Sequence, residues 1–79
     1  LTSLDLNKNN LKEIDFLKNL TFLRKLSLSQ NLLTNIYPIK NLENLEFLNL
    51  YGNKLTNVSA LYDLKKLKTL ILRENPLPF

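Results

Sequence analysis

The chain has no histidine, so proton transfer near neutral pH would fall to its seven acidic side chains. Asp5, Glu13, Asp15 and Glu74 are such carboxylates, and acid–base work would require a second carboxylate or burial to raise a pKa into the useful range. Their places in the sequence put them on an open surface, where neither condition is met. Cysteine is absent as well, which removes a thiolate nucleophile, a disulfide framework and a thiolate zinc site together. A single glycine, Gly52, cannot build a glycine-rich phosphate loop. The residue inventory therefore points away from an enzyme, a cofactor, a metal site or a small-molecule substrate.

Recognition is left as the chemistry that the sequence can carry. The net charge is +4, but most basic residues are isolated, and only Lys65, Lys66 and Lys68 cluster. They read as a solvated face, with docking of an anionic surface as the alternative and nucleic acid as an unlikely partner class. Apolar runs are too short to span a bilayer. Asn19-Leu20-Thr21 and Asn57-Val58-Ser59 match the N-glycosylation acceptor pattern, yet chance accounts for both in a chain rich in asparagine, serine and threonine. The compartment stays open, with a cytoplasmic setting favoured over a secreted or cell-surface one.

The elements that would position a recognition surface follow from a repeat. Shifting the sequence by twenty-two residues aligns Leu4, Leu26, Leu48 and Leu70, then Leu6, Leu28, Leu50 and Leu72, then Asn9, Asn31, Asn53 and Asn75. Leu1, Leu23, Leu45 and Leu67 form another column, and Leu11, Leu33, Leu55 and Leu77 a further one. Downstream, Ile14, Ile36 and Val58 align, as do Leu17, Ile39 and Leu61. Among leucine, isoleucine and valine residues only Leu32 and Ile71 fall off the register. The units are 1–22, 23–44, 45–66 and a partial 67–79, making one domain-sized segment. One long amphipathic helix is excluded: apolar steps of three residues each fall about 60° short of a turn, so their stripe would wind around the helix. The Leu-x-Leu pairs have the period of two that a strand requires. Apolar residues at every third position after each strand suit 3₁₀ or irregular turns, and Pro38 disfavours a regular helix there. Phe16, Pro38 and Ala60 share a column, where Phe16 is expected to cover the convex edge of the core.

The pattern Leu-x-x-Leu-x-Leu-x-x-Asn-x-Leu resembles the leucine-rich repeat family over the whole chain. Its twenty-two-residue period and the segment "NLLTNIYPIKNLENL" resemble the short class of internalin-like and SDS22-like proteins. That resemblance implies an α/β solenoid, a right-handed superhelix with a parallel sheet of short strands on the concave side and 3₁₀ or irregular convex segments. The physics agrees, because one unit cannot bury its own leucines whereas stacked units share a continuous core. Asn9, Asn31, Asn53 and Asn75 stand where each strand turns, and are expected to form a buried ladder whose amides serve the loop backbone. Neither Leu1 nor "NPLPF" provides a complete cap, so the chain is expected to be part of something longer, with Leu1 and Phe79 bordering leucine edges that neighbouring chain or another molecule would cover.

If the strand leucines face inward, the alternate residues face the concave side. In strand order these are Ser3, Asp5 and Asn7; Lys25, Ser27 and Ser29; Phe47, Asn49 and Tyr51; Thr69, Ile71 and Arg73. Lys25, Phe47, Asn49, Tyr51, Ile71 and Arg73 concentrate aromatic, apolar and cationic groups, and make a candidate site for a protein or peptide partner. Two other readings compete with it. Phe47 and Tyr51 could simply pack against Lys25 and Arg73 through cation–π contacts. Alternatively, the segment could be a structural spacer whose concave face is only solvated.

Overall fold

Alternation of leucine with polar residues produces four very short strands: β1 (Ser3–Asp5), β2 (Lys25–Ser27), β3 (Phe47–Asn49) and β4 (Thr69–Ile71). They form one parallel sheet in sequence order, and the register of every pair is the repeat length, with Leu4 beside Leu26, Leu26 beside Leu48 and Leu48 beside Leu70. Periodicity in sequence has become a column in space. These relationships come from a computed structural model that describes residues 2–78. The positions of Leu1 and Phe79, and the edges expected at them, lie outside the described residues.

Hydrogen bonding extends well past the three-residue strands. Before them, Glu46 N–H donates to the Arg24 carbonyl and Lys68 N–H to the Glu46 carbonyl, each at 2.8 Å. After them, Gln30 N–H reaches the Tyr51 carbonyl at 2.7 Å and Gly52 N–H the Arg73 carbonyl at 3.0 Å. The parallel ladder thus holds about seven residues of each unit in line, enough to fix the orientation of three concave side chains per unit.

Three-residue 3₁₀ turns at Asp15–Leu17, Tyr37–Ile39 and Ser59–Leu61 carry the chain across the convex side. Each is closed by the same bond, Leu17 to Ile14 at 2.9 Å, Ile39 to Ile36 at 3.0 Å and Leu61 to Val58 at 2.9 Å. A tight turn with three residues per revolution returns the third apolar residue to the interior. In the second and third units an asparagine starts the turn: Asn35 Oδ1 accepts the Tyr37 N–H at 2.8 Å, and Asn57 Oδ1 the Ser59 N–H at 2.7 Å. Pro38 lies within the first turn residues, where its missing N–H costs nothing.

Leu26, Leu28, Leu48, Leu50, Leu33 and Leu55 are fully enclosed, as are Leu17, Ile39 and Leu42 behind them. Burying each such side chain contributes about 1.5–3 kcal/mol. At the ends, Leu4, Leu6, Leu72 and Leu77 are only half-buried and Leu70 is 40% exposed. Only a unit flanked on both sides has its leucines covered on both sides. Phe16 does not cover the core as expected: it is 56% exposed, because the 3₁₀ turn directs Leu17 inward and leaves its neighbour in solvent.

Candidate functional site

The sheet sets the candidate residues side by side. Phe47 is in register with Lys25 on one side and Thr69 on the other, and Asn49 lies between Ser27 and Ile71. Tyr51 and Arg73 follow β3 and β4 in adjacent lines of backbone hydrogen bonds. Phe47, Asn49, Tyr51 and Ile71 are half-buried, and Lys25 and Arg73 are exposed. All six alternate with interior leucines, so strand geometry brings them to one face.

Local hydrogen bonds stiffen the face. Asn49 Oδ1 accepts the Tyr51 N–H at 3.0 Å, and on β1 Asp5 Oδ1 accepts the Asn7 N–H at 3.0 Å. Asn7 is a residue whose part the sequence did not reveal. Its Oδ1 receives the Ser27 hydroxyl at 2.6 Å and the Ser29 N–H at 2.8 Å, tying the end of β1 to β2. Small residues on the first two strands leave a depression of about 250 Å³ lined by Ser3, Asp5, Lys25, Ser27 and Phe47, floored by Leu4 and Leu26. Ligand pockets commonly measure roughly 300–1,000 Å³, so this one is sized for a side chain. The sequence places Ser3, Asp5 and Ser27 on the face without marking a site, and the signal lies in their short side chains, one and two strands away from Phe47.

Neither cation–π contact of the competing packing reading forms. Among the described residues, the cation over a ring is Lys40, 4.4 Å from the centroid of Tyr37, whose hydroxyl also accepts from Lys40 Nζ at 2.7 Å. That pair lies on the 3₁₀ side. The lysine cluster is partly engaged too: Lys66 Nζ donates to Asn44 Oδ1 at 2.9 Å, and Lys68 Nζ stands 3.9 Å from Glu46 Oε1.

The asparagine column underpins this geometry. Asn31 Oδ1 accepts the N–H groups of Asn9 and Leu11 at 2.9 and 3.0 Å, and its Nδ2 donates to the Leu6 and Leu28 carbonyls, both at 3.0 Å. Asn53 repeats this with Leu33, Leu28 and Leu50, and Asn75 with Leu55, Leu50 and Leu72. Each amide joins its own unit to the preceding one. Asn31 and Asn53 are buried and Asn75 half-buried, but Asn9 is exposed and its Nδ2 reaches only Asn7 of its own unit. Burial does not extend to Asn9, since its preceding neighbours in the column would belong to an earlier unit.

Sequence and structure comparisons agree with this architecture. The family model described as "Leucine Rich repeats (2 copies)" matches residues 1–41 and again residues 43–79. The chain belongs to the leucine-rich repeat family. Similar leucine-rich repeat structures include an internalin (inlF) from Listeria monocytogenes, at 32% identity and a TM-score of 0.94 over 98% of this chain and 23% of that one. Internalin C2 (inlC2) from the same species gives 32% identity and a TM-score of 0.95 over 98% of this chain and 34% of that one. The leucine-rich repeat ectodomain of the receptor kinase SOBIR1 from Arabidopsis thaliana gives 26% identity and a TM-score of 0.74, covering 94% of this chain and 44% of that one. The chain thus spans only 23% and 34% of the two internalin structures. No curated protein matches the sequence. Leucine-rich repeat proteins are in general protein-interaction modules and are typically non-enzymatic. No helix of this one, among the described residues, is long and apolar enough to cross a membrane.

Proposed function

We propose that the concave sheet face recognises a protein or peptide through Lys25, Phe47, Asn49, Tyr51, Ile71 and Arg73. The observation that carries this reading is the state of Phe47 and Tyr51: half-exposed, carried on backbone that the strand ladder fixes, and engaged by no cation among the described residues. The ladder fixes the backbone on which both rings stand, so less of the chain is left to order on binding, and tyrosine and arginine are enriched among residues that dominate interfaces. The depression beside Phe47 adds a place for one side chain of the partner.

The area sets the scale of the interaction. Four strands and seven residues project to roughly 400 Å², against about 800 Å² per partner in a standard interface. Binding through this face alone is therefore weak, or else it is joined by surface beyond these units. The test is selection of displayed random peptides on the immobilised protein, followed by rebinding to the Phe47→Ala/Tyr51→Ala variant. Recovery should fall at least about tenfold with the far-ultraviolet ellipticity unchanged, a loss of about 1.4 kcal/mol. Undiminished recovery on the variant would falsify the assignment.

A further inference from the structure

Lys25 and Arg73 stand at opposite corners of the apolar part of the concave face. Lys25 lies on β2 beside Phe47, and Arg73 follows β4 in the line next to Tyr51. They are two strands and four residues apart, which puts their α-carbons about 16 Å from each other along the diagonal. Phe47, Asn49 and Tyr51 occupy the ground between them. Among the described residues the ion pair is that of Lys68 with Glu46, so neither corner cation has an acid of its own. The acid of the face is Asp5, on β1, with one carboxylate oxygen already accepting from Asn7. Positive charge thus brackets the half-exposed aromatics, and negative charge lies to one side.

We propose that the partner presents an extended segment in which two acidic residues, four or five positions apart, flank an apolar side chain. This rests on the reading of the concave face as a recognition surface. An extended chain advances about 3.3 Å per residue, so a spacing of four or five positions covers about 13–16 Å, the separation of the two cations. The acids meet Lys25 and Arg73 while the central side chain settles between Phe47 and Tyr51. Asp5 repels the same segment and directs it over β2, β3 and β4, because like charge placed opposite suppresses a competing register.

The experiment is selection of displayed random dodecapeptides on the immobilised protein at low salt, with sequencing of recovered clones and affinity measurements on synthetic copies. Enriched peptides should carry two acids flanking an aromatic or aliphatic residue. Their affinity should fall about tenfold for Lys25→Gln/Arg73→Gln, as expected for losing two exposed charge pairs. It should rise about twofold for Asp5→Asn. Lys25, Arg73 and Asp5 are exposed, so these exchanges leave the core intact. Neutral or basic peptides that still require Phe47 and Tyr51 would overturn the acidic segment and leave concave recognition standing. Peptides indifferent to Phe47→Ala and Tyr51→Ala would overturn both. Recovery of no peptide would overturn the acidic segment alone, because the library contains it whereas a folded partner lies outside the library.

Discussion

A β-carbon added to Gly52 would lie 3.3 Å from Cγ of Gln30, the residue that fills the same position one unit earlier. Both residues are left-handed, with φ of 69° and 56°, and so are Lys8 at 59° and Glu74 at 61°. A left-handed residue therefore precedes the asparagine in every unit, turning the chain out of the ladder so that the amide can reach back beneath it. Only Gly52 adopts this conformation without steric cost. For residues with a β-carbon the cost is about 1–2 kcal/mol.

Opposite effects are expected from two exchanges in this column. Gly52→Ala adds strain and a tight contact, and should destabilise by about 1–2 kcal/mol. Gln30→Gly relieves the strain but gives the unfolded chain more freedom, at a cost of about 0.5–1 kcal/mol, leaving a net gain of up to about 1.5 kcal/mol. Urea titration checks both. A lower midpoint for Gln30→Gly would mean that its side chain contributes more than its strained backbone costs.

Asn53 and Asn9 share a column and should differ sharply on truncation. Asn53→Ala orphans the Leu33 N–H in the interior and removes one of the two amide donors that serve each of the Leu28 and Leu50 carbonyls, which keep Asn31 and Asn75. One unsatisfied buried group at about 1–3 kcal/mol and two lost hydrogen bonds at about 0.5–1.5 kcal/mol each put the loss at about 2–6 kcal/mol. Asn9→Ala removes one exposed bond to the Asn7 carbonyl and should cost less than about 1 kcal/mol. Thermal unfolding of the two variants settles the contrast, and equal shifts would contradict a ladder that works by joining adjacent units.

The contrast also marks what could be read from the sequence. The period of twenty-two residues was sufficient to place Leu26, Leu48 and Leu70 in one register, because a strict repeat leaves a solenoid no other stacking. It also placed Phe47 and Ile71 on the opposite face, since side chains alternate along a strand. Contact was a different matter. Tyr51 and Arg73 were in the right line, but a line does not fix rotamers, and among the described residues the ring that receives a cation is Tyr37. Likewise, the left-handed column held Lys8, Gln30 and Glu74 besides Gly52, and only the glycine advertised it. Asn7 gave no signal because its value comes from Ser27 and Ser29, twenty and twenty-two residues away.

The Lys68–Glu46 pair should contribute almost nothing to stability. Its side chains are 78% and 38% exposed and its atoms 3.9 Å apart, a geometry in which solvent screening leaves at most a few tenths of a kcal/mol. Lys68→Ala should shift the urea midpoint negligibly at low and high salt alike. A salt-dependent loss would show instead that the lysine cluster acts as an electrostatic unit.

Leu48 and Leu70 occupy the same column, and their truncation should measure how far stability is a property of neighbours. Leu48 is fully enclosed between Leu26 and Leu70, so Leu48→Ala creates a cavity in the middle of the stack and should cost about 2–5 kcal/mol. Leu70 is 40% exposed and has a neighbouring strand on one side only, so Leu70→Ala should cost about 1–2 kcal/mol. Placing a further unit of the same register after β4 should enclose Leu70 and raise the cost of its truncation toward that of Leu48, because each unit draws its stability from the interfaces it shares. Denaturant unfolding of the two single variants, with and without the added unit, makes the comparison. If Leu70→Ala stays equally mild in the extended protein, the exposed end of the sheet is not a docking surface for another repeat.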